Sequence, residues 1–267
     1  VTGLAAHPSG TLVGRALAAL AAGPLTSRTL SAEVLGMPNA PAAVAERLAT
    51  ALLGADPRVH RLTGDRWALV PAATGSPLLE ECAFAVVDVE TTGSRASADD
   101  RITEIAVVVQ QGGRREVLFE SLVNPGRPIP PAVSALTGID DAAVRHAPGF
   151  GEVADLVLAA LGGRVFVAHN ARFDWAFVGA ELKRTRDVVL DGPRLCTVRL
   201  SRRLVRGLAS CALDSMTEFF GLENPARHRA AGDALVTAQL LERLIPLARE
   251  RGARTVEHLE QMQRKAA

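Results

Sequence analysis

The stretch AFAVVDVETTG, residues 83–93, decides how this chain is read. Residues 83–89 form a continuous apolar, β-branched run, the pattern of a strand buried on both faces. Two acids break the pattern at its end. Asp88 and Glu90 stand two positions apart, and because side chains on a strand repeat with a period of two, they share one face. Burying two adjacent carboxylates is costly. The cost falls if a divalent cation lies between them, since hard cations such as Mg²⁺ take oxygen ligands. A strand end whose acids simply face water fits the same residues, and this segment alone leaves both readings open.

Further along, ITEIAVVVQ (102–110) and REVLFESLV (115–123) predict two strands joined at Gly112-Gly113. Pro125–Pro131 predicts an irregular crossing. Residues 150–161 predict a helix, RVFVAH (164–169) a strand, and ARFDWAFVGAELKR (171–184) a helix that follows at once. A last long helix is expected from near Arg229 to about Arg249. This alternation predicts an α/β domain with a central mixed sheet. Before it, PAATGSP (71–77) is small and turn-prone and predicts a linker.

Upstream of the linker, residues 11–22 have helical periodicity. A second short helix is expected from Ser27 or Ser31 to Leu35. Pro41 suits the first turn of a third helix that Gly54 ends. RVHRL and RWALV flank Thr63-Gly64-Asp65 as a hairpin. Three helices followed by a β-ribbon resemble a winged helix-turn-helix. The expected division is a winged-helix-like domain at 1–72, a linker at 73–80 and a larger domain at 81–267.

With 267 residues, 48% of them hydrophobic, the chain can fold a medium domain and a small one. No apolar run approaches the roughly 20 residues that a bilayer requires. Ala16–Ala22 has no basic lead-in and no cleavage site. The expectation is a soluble cytoplasmic protein with no membrane partner. Cys82, Cys196 and Cys211 are odd in number and lack C-x-x-C spacing, which argues against a zinc or disulfide framework. The formal net charge of +1 carries no information about nucleic acid by itself. Val1 fits either a GTG start or a fragment end.

Two further segments hold acids. Asp174 lies in FVAHNARFDWAF (166–177), early in a helix, where the helix dipole favours a carboxylate. His228 and Asp233 lie five apart in HRAAGDA (228–234). Each is unremarkable alone. In order, however, the three segments resemble the motifs of the DEDD superfamily of 3′→5′ exonucleases, in its histidine-containing (DEDDh) branch. That branch includes the proofreading subunit of bacterial DNA polymerase III and the exonuclease domain of the Gram-positive replicative polymerase. The first motif is matched by Asp88-Val89-Glu90-Thr91-Thr92-Gly93, the second by Ala168 to Asp174, and the third by His228-Arg229-Ala230 with Asp233. Residues 129–144 (IPPAVSALTGIDDAAV) resemble the family's connecting segment, and the likeness runs from 82 to about 250. The sister branch places a tyrosine where this one has His, and the chain contains no tyrosine.

The resemblance implies a ribonuclease H-like fold, a mixed sheet flanked by helices. It implies that Asp88, Glu90, Asp174 and Asp233 hold two Mg²⁺ or Mn²⁺ ions, and that His228 acts as general base. Thr91 and Thr92 would meet the terminal nucleotide, while His169, Asn170 and Phe173 would line the strand's path. Phe173 suits the core equally well. A basic run (Lys183, Arg184, Arg186, Arg194, Arg199, Arg202, Arg203, Arg206) would bind phosphates or serve as a solvated face. The implied substrate is a single-stranded or frayed 3′ end, of DNA rather than RNA, in proofreading or repair, with a DNA polymerase as partner. The alternatives are an RNA-trimming exonuclease of the same family, or a non-catalytic protein that binds nucleic acid or docks on a polymerase.

Overall fold

The structure is a computed structural model that describes residues 3–8, 10–70 and 76–264. It contains two compact units, formed by the described residues of His7–Thr74 with Asp187–Val189, and of Val1–Ala6, Gly75–Arg186 and Leu190–Ala267. The division runs through two short strands, β1 (Ala5–Pro8) and β9 (Val188–Asp191). Residues 73–75 of the expected linker lie outside the described residues.

The smaller unit contains α1 (Thr11–Leu20), β2 (Leu25–Thr26), α2 (Ser27–Glu33), α3 (Ala42–Leu53), β3 (Val59–Leu62) and β4 (Arg66–Leu69). This unit is a small α/β subdomain ahead of the larger one. Thr26 caps α2 by accepting from the Thr29 backbone N–H. Gly64 and Asp65 take φ of 74° and 54° in the hairpin turn, a region glycine and aspartate tolerate. The strand order is β2-β4-β3. At two residues, β2 is too short for alternation to show in sequence. Leu20, Leu30, Leu53 and Trp67 lead the core. The Trp67 indole donates to Ser27 Oγ at 3.0 Å, and Ser27 donates to Asp65 at 2.7 Å.

The larger unit is built on β5 (Phe84–Thr91), β6 (Ile102–Gln111), β7 (Arg114–Leu122), β8 (Val165–Ala168) and β10 (Arg194–Cys196), ordered β10-β8-β5-β6-β7. β5, β6 and β7 form an antiparallel meander; β8 runs parallel to β5, and β10 parallel to β8. Gly112 and Gly113, with φ of 57° and 79°, make the tight turn between β6 and β7. The helices are α4 (Pro131–Thr137), α5 (Asp141–Val144), α6 (Phe150–Leu161), α7 (Ala171–Arg186), α8 (Thr197–Leu204), α9 (Leu213–Phe220), α10 (Ala230–Glu250) and α11 (Val256–Arg264). The proline-rich crossing thus ends in a short helix, α4, with Pro131 at the position where a missing N–H costs nothing.

α10 presents a buried stripe, Ala230, Ala234, Ala238, Leu241, Leu244 and Ala248, at three- and four-residue spacing. It packs with Phe84, Val86, Ala106 and Val108 of β5 and β6. The three alanines nearest its start let the helix come close to the strand end that carries Asp88 and Glu90. Among the described residues, no helix is long and apolar enough to cross a membrane. All three cysteines are free thiols.

Leu241 is fully buried in this seam. Leu241→Ala should destabilise the protein by about 2–5 kcal/mol in urea denaturation. A loss below about 1 kcal/mol, the size of an ordinary surface change, would mean that α10 is not anchored there.

Candidate active site

The order of strands reverses between β5 and β8. The chain leaves β5 toward β6 and β7 on one side, and β8 opens toward β10 on the other. Such a switch point leaves a crevice at the carboxyl ends of the parallel strands. Asp88 and Glu90 sit at that end of β5, on the face shared with Phe84 and Val86. Glu90 stands opposite Glu104 of β6, and the register shifts just beyond it. Asp233 lies in the first turn of α10. Carboxylate oxygens of Asp88, Glu90 and Asp233 lie within 4.8 Å of one another. Asp174, in the first turn of α7 and 3% exposed, is near enough to repel Asp88. The backbone N–H groups of Val89 and of Asp174 itself lie close enough to act on its carboxylate.

Burial governs the electrostatics. It pushes Asp88 well above the usual carboxylate range, and repulsion from Asp174, Asp233, Glu90 and Glu104 adds to it. Burial raises Glu90 to about 7; Asp233 and Glu104 reinforce the shift and Arg229 opposes it. Burial raises Asp174 to about 8 despite its two backbone donors. Asp233 is also raised by burial, against the Asn224 side chain, the His228 N–H and the His228 charge. So much buried negative charge has few partners. An all-oxygen donor set short of positive charge fits a hard divalent cation.

The two helices that bring acids from outside the sheet are each tied down by an arginine–glutamate pair. Arg229, just before α10, is bonded through Nη2 to Glu104 at 2.6 Å. Glu104 also accepts the Ala230 backbone N–H at 2.8 Å, capping the helix that carries Asp233. Glu181 of α7, 1% exposed, takes a bidentate bond from Arg101 at 2.6 and 2.9 Å. Glu104 escaped the sequence reading, although an acid in the apolar run ITEIA breaks the pattern just as Glu90 does.

His228 adopts a left-handed φ of 58°, and its backbone N–H donates to Asp233 at 3.2 Å. Asn224 donates to the other Asp233 oxygen at 2.5 Å. Gly232 makes this fold-back feasible, because a Cβ there would lie 2.2 Å from the Ala226 carbonyl oxygen. Nothing in the sequence marked Asn224, which meets Asp233 only once this loop closes.

The other expected contacts surround the crevice. Thr91 and Thr92 are buried; Thr91 donates to the Gly93 carbonyl at 2.6 Å and Thr92 Oγ1 accepts from Arg101 N–H at 3.0 Å. Their hydroxyls therefore hold the turn after β5. His169 Nδ1 pairs with Thr197 Oγ1 at 2.9 Å. Burial lowers its pKa to about 4, so the ring is neutral near pH 7. The Cys211 backbone lies close enough to act on the ring, but Nε2 makes no hydrogen bond of ordinary geometry. Asn170 is exposed at the start of α7 with φ of 77°. Phe173 is half-buried, its ring 4.8 Å from that of Phe177. The basic run divides. Arg184 and Arg186 are paired with Glu181 and Asp155, whereas Arg194, Arg199 and Arg202 line a groove.

Residues 85–241 match the sequence profile of the RNase_T exonuclease family. The chain belongs to this exonuclease family. It is 40% identical over 185 residues to a DNA polymerase III subunit epsilon-like protein of Rhodobacter capsulatus, covering 66% of this chain and 26% of that protein. It thus spans about a quarter of that relative's length. It is 33% identical over 162 residues to the DNA polymerase III subunit epsilon of Aquifex aeolicus, covering 61% of this chain and 80% of that one. The structure of Exonuclease X in complex with 5′ overhanging duplex DNA is 28% identical, with a TM-score of 0.54, covering 67% of this chain and 99% of that one.

The acid cluster gives this exonuclease-family chain a pH signature. An acid whose folded-state pKa is raised contributes stability that is complete below its unfolded value of about 4. That contribution is lost as pH rises through the folded values, about 7 for Glu90 and about 8 for Asp174. The Tm of the chelator-treated protein should therefore carry a component that falls from about pH 5 to about pH 8.5. Added Mn²⁺ should raise Tm more at the upper end, and Glu90→Gln with Asp174→Asn should flatten both trends. A metal effect equal at all pH values would separate cation binding from these acids.

Proposed function

We propose that this chain is a metal-dependent 3′→5′ exonuclease that hydrolyses phosphodiester bonds at the 3′ end of DNA, in proofreading or repair. One observation carries the reading: Asp88, Glu90, Asp174 and Asp233, from three distant segments, converge at the carboxyl end of β5. The relative named as a polymerase III epsilon subunit and the Exonuclease X structure with DNA support the choice of DNA.

Asp88, Glu90, Asp174 and Asp233 would hold two Mg²⁺ or Mn²⁺ ions. Such ions supply Lewis acidity to the phosphate and lower the pKa of the attacking water. The protein's own residues do the rest. His228 takes the proton of that water on its imidazole as general base. Asp233 fixes the backbone of His228, so base and metal-binding acid keep one relative position. Arg229 and Glu104 hold the helix carrying Asp233 against the strand carrying Asp88 and Glu90. The crevice beside His169 and Asn170 receives the terminal nucleotide, with Phe173 at its margin.

End-labelled single-stranded DNA, mismatched duplex and RNA, each incubated with Mg²⁺ and then with chelator, test the proposal. DNA should give a ladder that shortens from the 3′ end and stops with chelator. A ladder on RNA alone would replace DNA as substrate, and no ladder on any of them would sink the activity. His228→Asn, which keeps a residue that tolerates the left-handed backbone, should lower kcat by about 10²–10⁴-fold with little change in Tm, the usual worth of a positioned base.

A further inference from the structure

The outward face of α7, turned from Asp174, borders a groove of about 610 Å³. Its walls include Asn170, Arg172, Trp175, Arg194, Arg199 and Arg202, and among the described residues no Asp or Glu lines it. An adjoining cleft of about 650 Å³ shares Asn170, Val198 and Arg202 with it and reaches His169. The two clefts thus make one path leading away from the start of α7, where the candidate active site lies.

The arginines here differ from those elsewhere in the unit. Arg101, Arg184, Arg186 and Arg229 each sit on a carboxylate. Among the described residues, Arg172, Arg199 and Arg202 make no ion pair. The Arg194 guanidinium lies 4.8 Å from the centre of the Trp175 ring, which is itself packed edge-on against Phe166. Four guanidinium groups along one groove without counter-charge select a ligand that carries repeated negative charge.

The groove depends on the C-terminal helix. Gln263 of α11 accepts the Cys196 backbone N–H at 2.8 Å and donates to the Arg194 carbonyl at 2.7 Å. Glu260 accepts the Arg194 N–H at 3.3 Å. These bonds set where Arg194 leaves the edge of the sheet. The family match ends at residue 241, so the arginines of this wall lie within it and the helix that positions them, α11, lies beyond it.

We propose that this groove takes the phosphate backbone of the single strand whose 3′ end occupies the active site, several nucleotides in from that end. The proposal rests on the nucleic-acid reading above and adds to it the residues that grip the strand away from its end. Affinity for fluorescein-labelled oligothymidylates of increasing length, read by anisotropy in chelator, should tighten with length in the parent. The double variant Arg199→Glu, Arg202→Glu should lose that gain with length. Each phosphate contact on a single strand contributes about 0.7 to the log–log salt slope, so two lost contacts should lower it by about 1.4. Hydrolysis of the p-nitrophenyl ester of thymidine monophosphate with Mn²⁺ is the control, because that substrate is too short to reach the groove. Variants that match the parent in length dependence and salt slope would overturn the proposal, whether or not the ester is cleaved. A loss confined to duplex DNA would also overturn it, since the complementary strand would then be the occupant. Failure of the parent to cleave either the ester or the oligonucleotides would count against the exonuclease reading alone, because the binding data stand apart from it.

Discussion

Negative charge gathered at the carboxyl end of β5 is the constraint around which the larger unit is organised. Half-buried Asp88 and Glu90 are joined there by buried Asp174 and Asp233, with Glu104 alongside. Without a cation, some of these acids must stay protonated near neutral pH. Among the described residues the protein's own relief comes from backbone N–H groups, the Asn224 amide, Arg229 and His228. Glu104 has a double part, since it binds Arg229 and caps α10. It therefore binds the helix that supplies Asp233 to the sheet that supplies Glu90, although it adds to the local repulsion.

Packing around the crevice follows from the same need. α10 must approach the sheet closely at its first turns, and alanines at 230, 234 and 238 allow it. The loop before it must fold back over the helix start, and Gly232 leaves room for the Ala226 carbonyl. His228 pays for this with a left-handed backbone, a conformation histidine adopts more readily than β-branched residues do. α7 is fixed by the Arg101–Glu181 pair. Breaking a buried ion pair of this kind usually costs about 3–5 kcal/mol.

Much of this was legible in the sequence, for identifiable reasons. β5 announced itself because an apolar, β-branched run ended in two acids on one face. The long helices α6, α7 and α10 carry strong periodicity. Asp174 and Asp233 could not be told from ordinary first-turn acids by local chemistry; only their order with the first motif singled them out. Short elements stayed hidden. β10 has three residues, and α8 is interleaved with serine and arginine that conceal its apolar side. The split of the basic run was also invisible, since Arg186 meets Asp155 from 31 positions away. Contacts that loop closure creates, such as Asn224 on Asp233, leave no local mark in the chain.

The side-chain bonds from α11 to β10 close one edge of the sheet. An open sheet offers unpaired backbone groups along both outer strands, and these can recruit a strand from another molecule. On the β10 side, Gln263 and Glu260 already occupy those groups, as a neighbouring strand would. On the β7 side, Val117 and Leu118 are exposed but stand between Arg114, Arg115, Glu116 and Glu120, whose charges resist stacking of like edges. The last helix thus acts as a surrogate strand along one border of the sheet, while charged side chains flank the exposed apolar pair at the other.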